Sequence, residues 1–154
     1  MRAVQRTSTA TIAVHLVVSD PERAARCYGD VFGAIEISRV ALPDGGVFAI
    51  GLLIGDTEVH LAGEYPAQGV ISPLTLGGTY LALQVRAEDV DARFQRALQA
   101  GATQFHPLAD TAWGDRAGQF IDPFGHRWGL YRHDRDVSSE EVGRQVAKMF
   151  GADT

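Results

Sequence analysis

Two histidines, two tryptophans and an Asp-Pro turn lie within the stretch WGDRAGQFIDPFGHRWGLYRH, which runs from Trp113 to His133. Imidazole groups bind transition metals and exchange protons near neutral pH, and indoles provide flat apolar surfaces. The same residue types also suit a tight β-hairpin, because Asp and Pro begin turns and glycine takes the positive φ that many turns require. The stretch therefore indicates either a ligand or metal site or a structural hairpin, and its position in the fold distinguishes the two.

The composition limits the class of protein. The chain has 154 residues, of which 45% are hydrophobic and 21% charged, as in an ordinary globular domain. The net charge of −5 and the scattered arginines argue against nucleic acid or a membrane surface as partner. A single cysteine, Cys27, excludes an intramolecular disulfide and a cysteine-based metal site. No apolar run approaches about 20 residues and none resembles a signal peptide, so we expect a cytoplasmic protein.

The order strand, helix, strand, strand, strand occurs twice along the chain, first over residues 11–64. There the strand TIAVHLVVSD ends at Asp20, which is suited to cap a helix that has Pro21 at its first position. Apolar residues at helical spacing continue to Gly33, which can supply a left-handed stop. Three strand-like segments follow, separated by the turns PDGG and GD. We call this segment module one.

Module two, residues 80–133, repeats this order. LALQVRAEDV leads into a helix that stops at Gly101, and the strands TQFHPLA, AGQFID and RWGLYRH follow. An offset of 69 residues places Asp20 on Asp89, so the repeat predicts a second capping Asp. Residues 65–79, rich in Pro and Gly, are predicted to be a linker.

A short amphipathic helix is predicted over residues 138–150. Ser138 and Glu141 have the spacing of a capping box, and apolar residues recur at helical intervals after them. The apolar side of this helix either packs on its own domain or covers a dimer seam.

The segments VVSDPERAARCYGDVFGA and WGDRAGQFIDPFGHRWGL resemble the vicinal oxygen chelate superfamily, which includes glyoxalase I, bleomycin-resistance proteins and extradiol dioxygenases. The resemblance is strongest to its PhnB-like, glyoxalase-like branch and covers residues 11–133 as a single domain. It implies an α+β fold in which two tandem β-α-β-β-β modules form a curved mixed sheet that encloses a cleft, with the C-terminal helix added. It also implies a homodimer.

The resemblance implies four metal-ligand positions, one on the first and one on the last strand of each module. They fall on Ala13, His60, Ala82 and Gly129, and only His60 has a side-chain donor. Because side chains alternate along strands, a displaced set would consist of His15, His60 and Glu58. We therefore expect no metal cofactor, with a divalent ion at the displaced set as the alternative.

The resemblance also implies which residues face a ligand. The Gly129 face of the last strand, with Tyr131, looks into the cleft, whereas His126 and Trp128 lie on the other face and are expected to be structural. Trp113 borders the cleft mouth, either as a lid on a flat ligand or as a plug over the hairpin. His133 is expected in solvent at the strand end. The predicted ligand-binding residues are His15, His60, Gln84, Trp113 and Tyr131.

Two functions fit these residues best. The first is a binding protein that holds a small, flat or aromatic molecule without a metal, since such a pocket needs shape, a few polar groups and aromatic walls. The second is a glyoxalase-like lyase, isomerase or dioxygenase that uses a divalent metal or His60 as general base. A dimeric module with a vestigial cleft is a third interpretation. We favour the first, so we expect a small-molecule ligand rather than catalysis.

Overall fold

Each half of the chain forms a four-stranded sheet with a helix packed on one of its faces. The computed structural model describes residues 9–151, and the chain divides into two units after Ser72. The first unit contains β1 (Val14–Val17), α1 (Pro21–Phe32), β2 (Ile35–Ala41), β3 (Val47–Ile54) and β4 (Thr57–Ala62). Its strand order is β1-β4-β3-β2, with β1 parallel to β4 and the other neighbours antiparallel.

The second unit repeats the arrangement. A short helix α2 (Pro73–Leu76) precedes β5 (Ala82–Arg86), α3 (Val90–Gln99), β6 (Thr103–Asp110), β7 (Asp115–Ile121), β8 (Arg127–His133) and α4 (Ser139–Met149). The strand order is β5-β8-β7-β6, again with one parallel pair, β5 and β8. The predicted α+β fold of two β-α-β-β-β modules and a C-terminal helix is confirmed. The predicted linker is more ordered than expected, because it also holds a 3-10 turn at Pro66–Gln68.

The first predicted helix cap is confirmed and the second is wrong. The Asp20 carboxylate accepts a 3.0 Å hydrogen bond from the Arg23 backbone N–H, and Gly33 ends α1 at φ 70°. Asp89 makes no such cap, since its carboxylate accepts a 2.6 Å bond from the Arg93 side chain. A charged donor one turn along the helix offers a stronger hydrogen bond than the backbone does.

The core of each unit lies between the sheet and its helix. On α1 the buried residues are Ala24, Tyr28, Val31 and Phe32, as the helical spacing predicts. Strands β3 and β4 bury Ile50, Leu52, Val59 and Leu61 on the same side, and in the second unit Phe94 of α3 packs against Phe120 with ring centres 5.9 Å apart. We call the other face of each sheet, which no helix covers within its own unit, the open face. Because side chains alternate, the open faces carry the residues between these buried positions.

The outer strand β6 is irregular. Pro107 lies in the middle of it and has no backbone N–H to donate to a neighbouring strand. The pairing of β6 with β7 shifts register twice, between Gln104 and His106 and again between His106 and Ala109. The second shift contains the proline, which accounts for it, since proline within sheets is confined to edges and bulges.

Helix α4 begins as predicted, with the Ser138 hydroxyl accepting from the Glu141 N–H at 3.2 Å. None of its residues is buried, and Met149 and Phe150 at its end are 71% and 84% exposed. Among residues 9–151, no helix is both long and apolar enough to span a bilayer.

The turn between β7 and β8 is organised by one carboxylate. Asp122 is 5% exposed, and its Oδ1 accepts 2.9 Å bonds from the N–H groups of Phe124 and His126. Its Oδ2 accepts a 2.8 Å bond from the indole N–H of Trp128. Gly125 takes φ 88°, as the turn requires. The Asp-Pro motif of the sequence is therefore primarily structural.

We expect Asp122→Asn to destabilise the protein by about 2–4 kcal/mol, measured by urea unfolding. The substitution keeps the shape but places an amide N–H₂ against one of the N–H donors in a buried site. The matched control is Asp30→Asn on the exposed side of α1, which should change stability by less than about 0.5 kcal/mol. Equal effects of the two substitutions would contradict this role of Asp122.

Candidate functional site

The open face of the first unit carries two adjacent histidines. His15 of β1 pairs in register with His60 of β4, which in turn pairs with Gly51 of β3. Gly51 pairs with Ser38 of β2, so these four residues form one row across the sheet. His60 Nε2 lies 3.3 Å from a carboxylate oxygen of Glu58, two residues back on the same strand. The structure thus brings the predicted residues His15, His60 and Glu58 together on one face.

Ser38 is part of this row although its sequence context did not indicate it. A Cβ built on Gly51 would collide with the Ser38 hydroxyl oxygen, so that hydroxyl lies over the glycine, on the strand next to His60. Gly51 does not have a left-handed φ. A side chain at position 51 would therefore displace the Ser38 hydroxyl, whereas the backbone conformation there suits any residue.

The positions at which the resemblance places metal ligands do not fit a divalent cation. Ala13, Ala82 and Gly129 have no side-chain donor, and Ala13 precedes the first residue of β1. Within residues 9–151, no three His, Cys, Asp or Glu side chains are grouped as a metal site requires. Three of the four positions therefore supply no donor to a metal ion.

The open face of the second unit carries a different row. Gln84 of β5 pairs with Gly129 of β8, Gly129 pairs with Gln119 of β7, and Gln119 pairs with His106 of β6. A Cβ built on Gly129 would collide with the Gln84 side-chain oxygen, so the Gln84 carboxamide lies over Gly129. We call Gln84, Gly129, Gln119 and His106 the amide row. Of this row, only Gln84 was predicted as a ligand-binding residue. The turn at Asp122 sets the register of β7 on β8, and that register pairs Gln119 with Gly129, so the turn is the signal from which Gln119 could have been predicted.

Tyr131 and Trp113 are placed differently in the second unit. Tyr131 is half-buried on the open face, in register with Arg86 on one side and Ala117 on the other. Trp113 is not on the sheet but in the loop before β7, where it is 49% exposed. The structure places both aromatic side chains in the second unit, one on the sheet and one in a loop.

The Trp113 loop is tied to the segment that leads into α4. The Gly114 carbonyl accepts 3.0 Å bonds from the N–H groups of Asp134 and Arg135. Gly114 takes φ 92°, and a Cβ on it would collide with the Arg135 carbonyl oxygen. Within the loop, Thr111 and Asp115 exchange 3.0 Å hydrogen bonds. The position of the loop therefore depends on the chain after β8.

His133 also links the start of β7 to the segment between β8 and α4. Its Nδ1 lies 2.8 Å from an Asp115 carboxylate oxygen, and its Nε2 lies 2.8 Å from one of Asp136. His133 is exposed at the end of β8, as expected, and in addition both of its ring nitrogens have carboxylate partners. Asp115 first, and then Asp136, raise the pKa of His133 above its ordinary value by stabilising the imidazolium.

The remaining residues of the opening stretch are structural. Trp128 is buried in the core and bonds to Asp122, as predicted for its face. Arg127 lies on the open face, where it donates to the Tyr80 carbonyl at 3.0 Å and lies 5.0 Å from the centre of the Phe105 ring. The stretch is therefore a hairpin that presents Gly129 and Tyr131 on its open face.

A hollow in the first unit lies apart from these residues. It is formed by α1 and β2, and Arg39 at its wall pairs with Glu22 at 2.6 Å and with Glu36 at 2.8 Å. None of the predicted ligand-binding residues lines it.

Comparison with known proteins identifies the family. Residues 10–130 match the model of the Glyoxalase/Bleomycin resistance protein/Dioxygenase superfamily. Protein Mb0911c of Mycobacterium bovis is 41% identical over 134 residues, which cover 85% of this chain and 88% of that protein. The family predicted from the sequence is confirmed.

Solved structures show the same fold. TioX from Micromonospora sp. ML1 has a TM-score of 0.62 at 29% identity, covering 80% of this chain and 98% of TioX. The fosfomycin resistance protein FosX from Listeria monocytogenes, in complex with Mn(II) and sulfate, has a TM-score of 0.61 at 20% identity, covering 88% and 98% of the two chains.

The His133 bridge predicts a pH dependence of stability. A raised pKa means that the bridge contributes fully below about pH 6.5, the ordinary value of imidazole, and that the contribution is lost as pH rises through the raised value. We expect the thermal unfolding midpoint to fall across that interval, and an NMR titration of the His133 ring to give a midpoint above about 6.5.

Asp115→Asn should lower the His133 midpoint and flatten the pH dependence, because it removes the larger of the two causes. Asp110→Asn, at an exposed carboxylate that contacts Arg116 instead, is the control and should leave the titration unchanged. A His133 midpoint at or below the ordinary value in the unaltered protein would refute the bridge.

Proposed function

This chain belongs to the glyoxalase, bleomycin resistance protein and dioxygenase superfamily, and from that premise we propose that it binds a small, flat or aromatic molecule without a metal. In the first unit the proposed ligand-binding side chains are His15 and His60, on its open face. In the second unit they are Gln84 and Tyr131, on its open face, and Trp113, in the loop before β7.

One observation carries the proposal. Gly129, at a position that the resemblance assigns to a metal ligand, has the carboxamide of Gln84 lying over it. A carboxamide is a weak ligand for transition metals but a good hydrogen-bonding group for organic molecules. The residue that fills this space therefore favours recognition of a ligand over coordination of an ion.

The aromatic residues support a flat ligand. Tyr131 presents a ring and a hydroxyl on the open face, and Trp113 is half exposed on a loop held by Gly114 and Asp115. Aromatic rings offer large contact areas with few rotatable bonds, so they bind planar molecules with little loss of conformational entropy. A half-exposed indole on an anchored loop is suited to cover such a molecule.

A second candidate function is favoured by the first unit. His15 and His60 are side by side, and His60 lies 3.3 Å from Glu58. An imidazole beside a carboxylate is a common general base. These residues are consistent with a lyase, isomerase or dioxygenase of the same superfamily, and FosX shows that a relative of this fold can hold Mn(II).

We expect a screen of flat aromatic compounds by thermal shift to find ligands that stabilise the protein. A ligand at about 100 times its Kd adds about 2.7 kcal/mol, which for this size corresponds to roughly 5–10 °C. Trp113→Ala and Tyr131→Phe should each weaken the binding of such a hit, by about tenfold for the indole.

The matched controls are Phe150→Ala and Tyr80→Phe, whose side chains are exposed and lie outside the proposed set. They should leave the affinity unchanged. If no flat compound stabilises the protein, or if the control substitutions weaken binding as much as the two site substitutions, the proposal fails.

Elemental analysis and titration with manganese, iron, nickel and zinc separate the two functions. For the binding protein we expect far less than one equivalent of metal in the purified chain and no saturable site of micromolar affinity. A tightly held equivalent that is lost in His60→Ala but kept in His106→Ala, a control on the other unit, would establish the second function instead.

A further inference from the structure

We infer that the amide row of the second unit recognises its ligand through a neutral group that both donates and accepts hydrogen bonds, such as a carboxamide. We further infer that Gly129 sets this preference by placing the Gln84 side chain. The inference rests on the proposed function and adds to it the chemical class of the ligand.

The first observation is the close approach of Gln84 to Gly129. From a Cβ built on Gly129, the Gln84 amide carbon and nitrogen would lie only 2.6 and 2.8 Å away, and the amide oxygen would be closer still. All three terminal atoms of the carboxamide therefore lie close to one backbone position, with the oxygen nearest to it. Any other residue at position 129 would occupy this space.

The backbone does not otherwise require glycine at this position. Ten glycines of residues 9–151 have a positive φ, and Gly129 is not one of them. It lies within β8, where a glycine weakens a strand because it has no side chain to pack. A side chain at this position would therefore displace the Gln84 carboxamide rather than strain the backbone.

The second observation is the composition of the row. Gly129 stands in register between Gln84 and Gln119, and His106 follows on β6. Each carboxamide has two N–H donors and a carbonyl acceptor, and the row contains no carboxylate. A ligand group with both a donor and an acceptor can satisfy these residues, whereas a carboxylate leaves the acceptors unmatched.

Two arginines on the same open face, Arg127 and Arg86, would favour an anionic ligand. We expect the amide row to contribute more to ligand preference than these two charges do. Arg127 donates through one terminal nitrogen to the Tyr80 carbonyl and lies over the Phe105 ring, and its Nε, which has no hydrogen-bond partner within residues 9–151, is buried from the surface. Arg86 is exposed, in register with Tyr131, so water and salt screen its charge. The test therefore uses a neutral and an anionic probe of the same shape.

The probes are 2-naphthamide and 2-naphthoate, and the measurement is calorimetric titration of the full chain. We expect 2-naphthamide to bind at least about tenfold more tightly, since the anion offers no donor to the row. Gln84→Leu and Gly129→Ala should each weaken 2-naphthamide about five- to tenfold, the first by removing the carboxamide and the second by displacing it.

The double substitution should weaken binding no more than either single one, because both act through the same group. The control is Gly143→Ala on α4, where a Cβ meets no atom within 4 Å, and it should leave binding unchanged. The side-chain NH₂ resonances of Gln84 should shift on adding 2-naphthamide and on introducing Gly129→Ala, while circular dichroism confirms that each variant is folded.

Tighter or equal binding of 2-naphthoate would overturn the inference and leave the proposed function standing. Additive effects of the two substitutions would overturn the role of Gly129. Binding of neither probe would also overturn the inference; the proposed function fails with it only if the screen of flat compounds finds no ligand either.

Discussion

The buried carboxylate of Asp122 is the constraint on which the geometry of the second unit depends. It accepts hydrogen bonds from two backbone N–H groups of its own turn and from the Trp128 indole, so it fixes where β8 begins. A strand displaced by one residue turns every side chain to the opposite face. With this turn set, Trp128 enters the core and Gly129 takes its place between Gln84 and Gln119. The turn therefore determines which side chains of the hairpin reach the open face, Gln119 and Tyr131 among them.

The two units have the same arrangement of strands but present different chemistry. The first unit has imidazoles beside each other with a carboxylate next to one of them, and the second has carboxamides. A glycine creates space in both rows, at Gly51 for the hydroxyl of Ser38 and at Gly129 for the amide of Gln84. The glycine is on the third strand of the first unit and on the last strand of the second. The repeat thus conserves strand pairing while the polar groups differ.

Features set by neighbouring residues could be predicted from the sequence. The element order, the Asp20 cap and the buried side of α1 follow from local spacing, and all are present. The repeat predicts a helix cap at Asp89 that the structure does not form. The Arg93 side chain binds the Asp89 carboxylate instead. The partners of His133 lie on β7 and beyond β8, so only the folded chain brings them together.

The candidate site shows the same limit. That Glu58 and His60 share a face follows from alternation along one strand. The pairing of His15 with His60, like the approach of Gln84 to Gly129, depends on the register of a parallel pair. A parallel pair has no hairpin turn from which its register can be counted. Ser38 and Gln119 belong to the rows through antiparallel pairs. The hairpin turn at Asp122 reveals the pairing of Gln119, whereas register shifts along β2 conceal that of Ser38.

The irregular pairing of β6 has a consequence for the behaviour of the protein in concentrated solution. An outer strand exposes backbone groups to which another molecule can add a strand, which is the first step towards fibrils. At β6 such a molecule would meet a proline without an N–H and two breaks in spacing within eight residues. Continuous strand addition along this edge is therefore disfavoured, and the proline protects the fold against self-association into fibres.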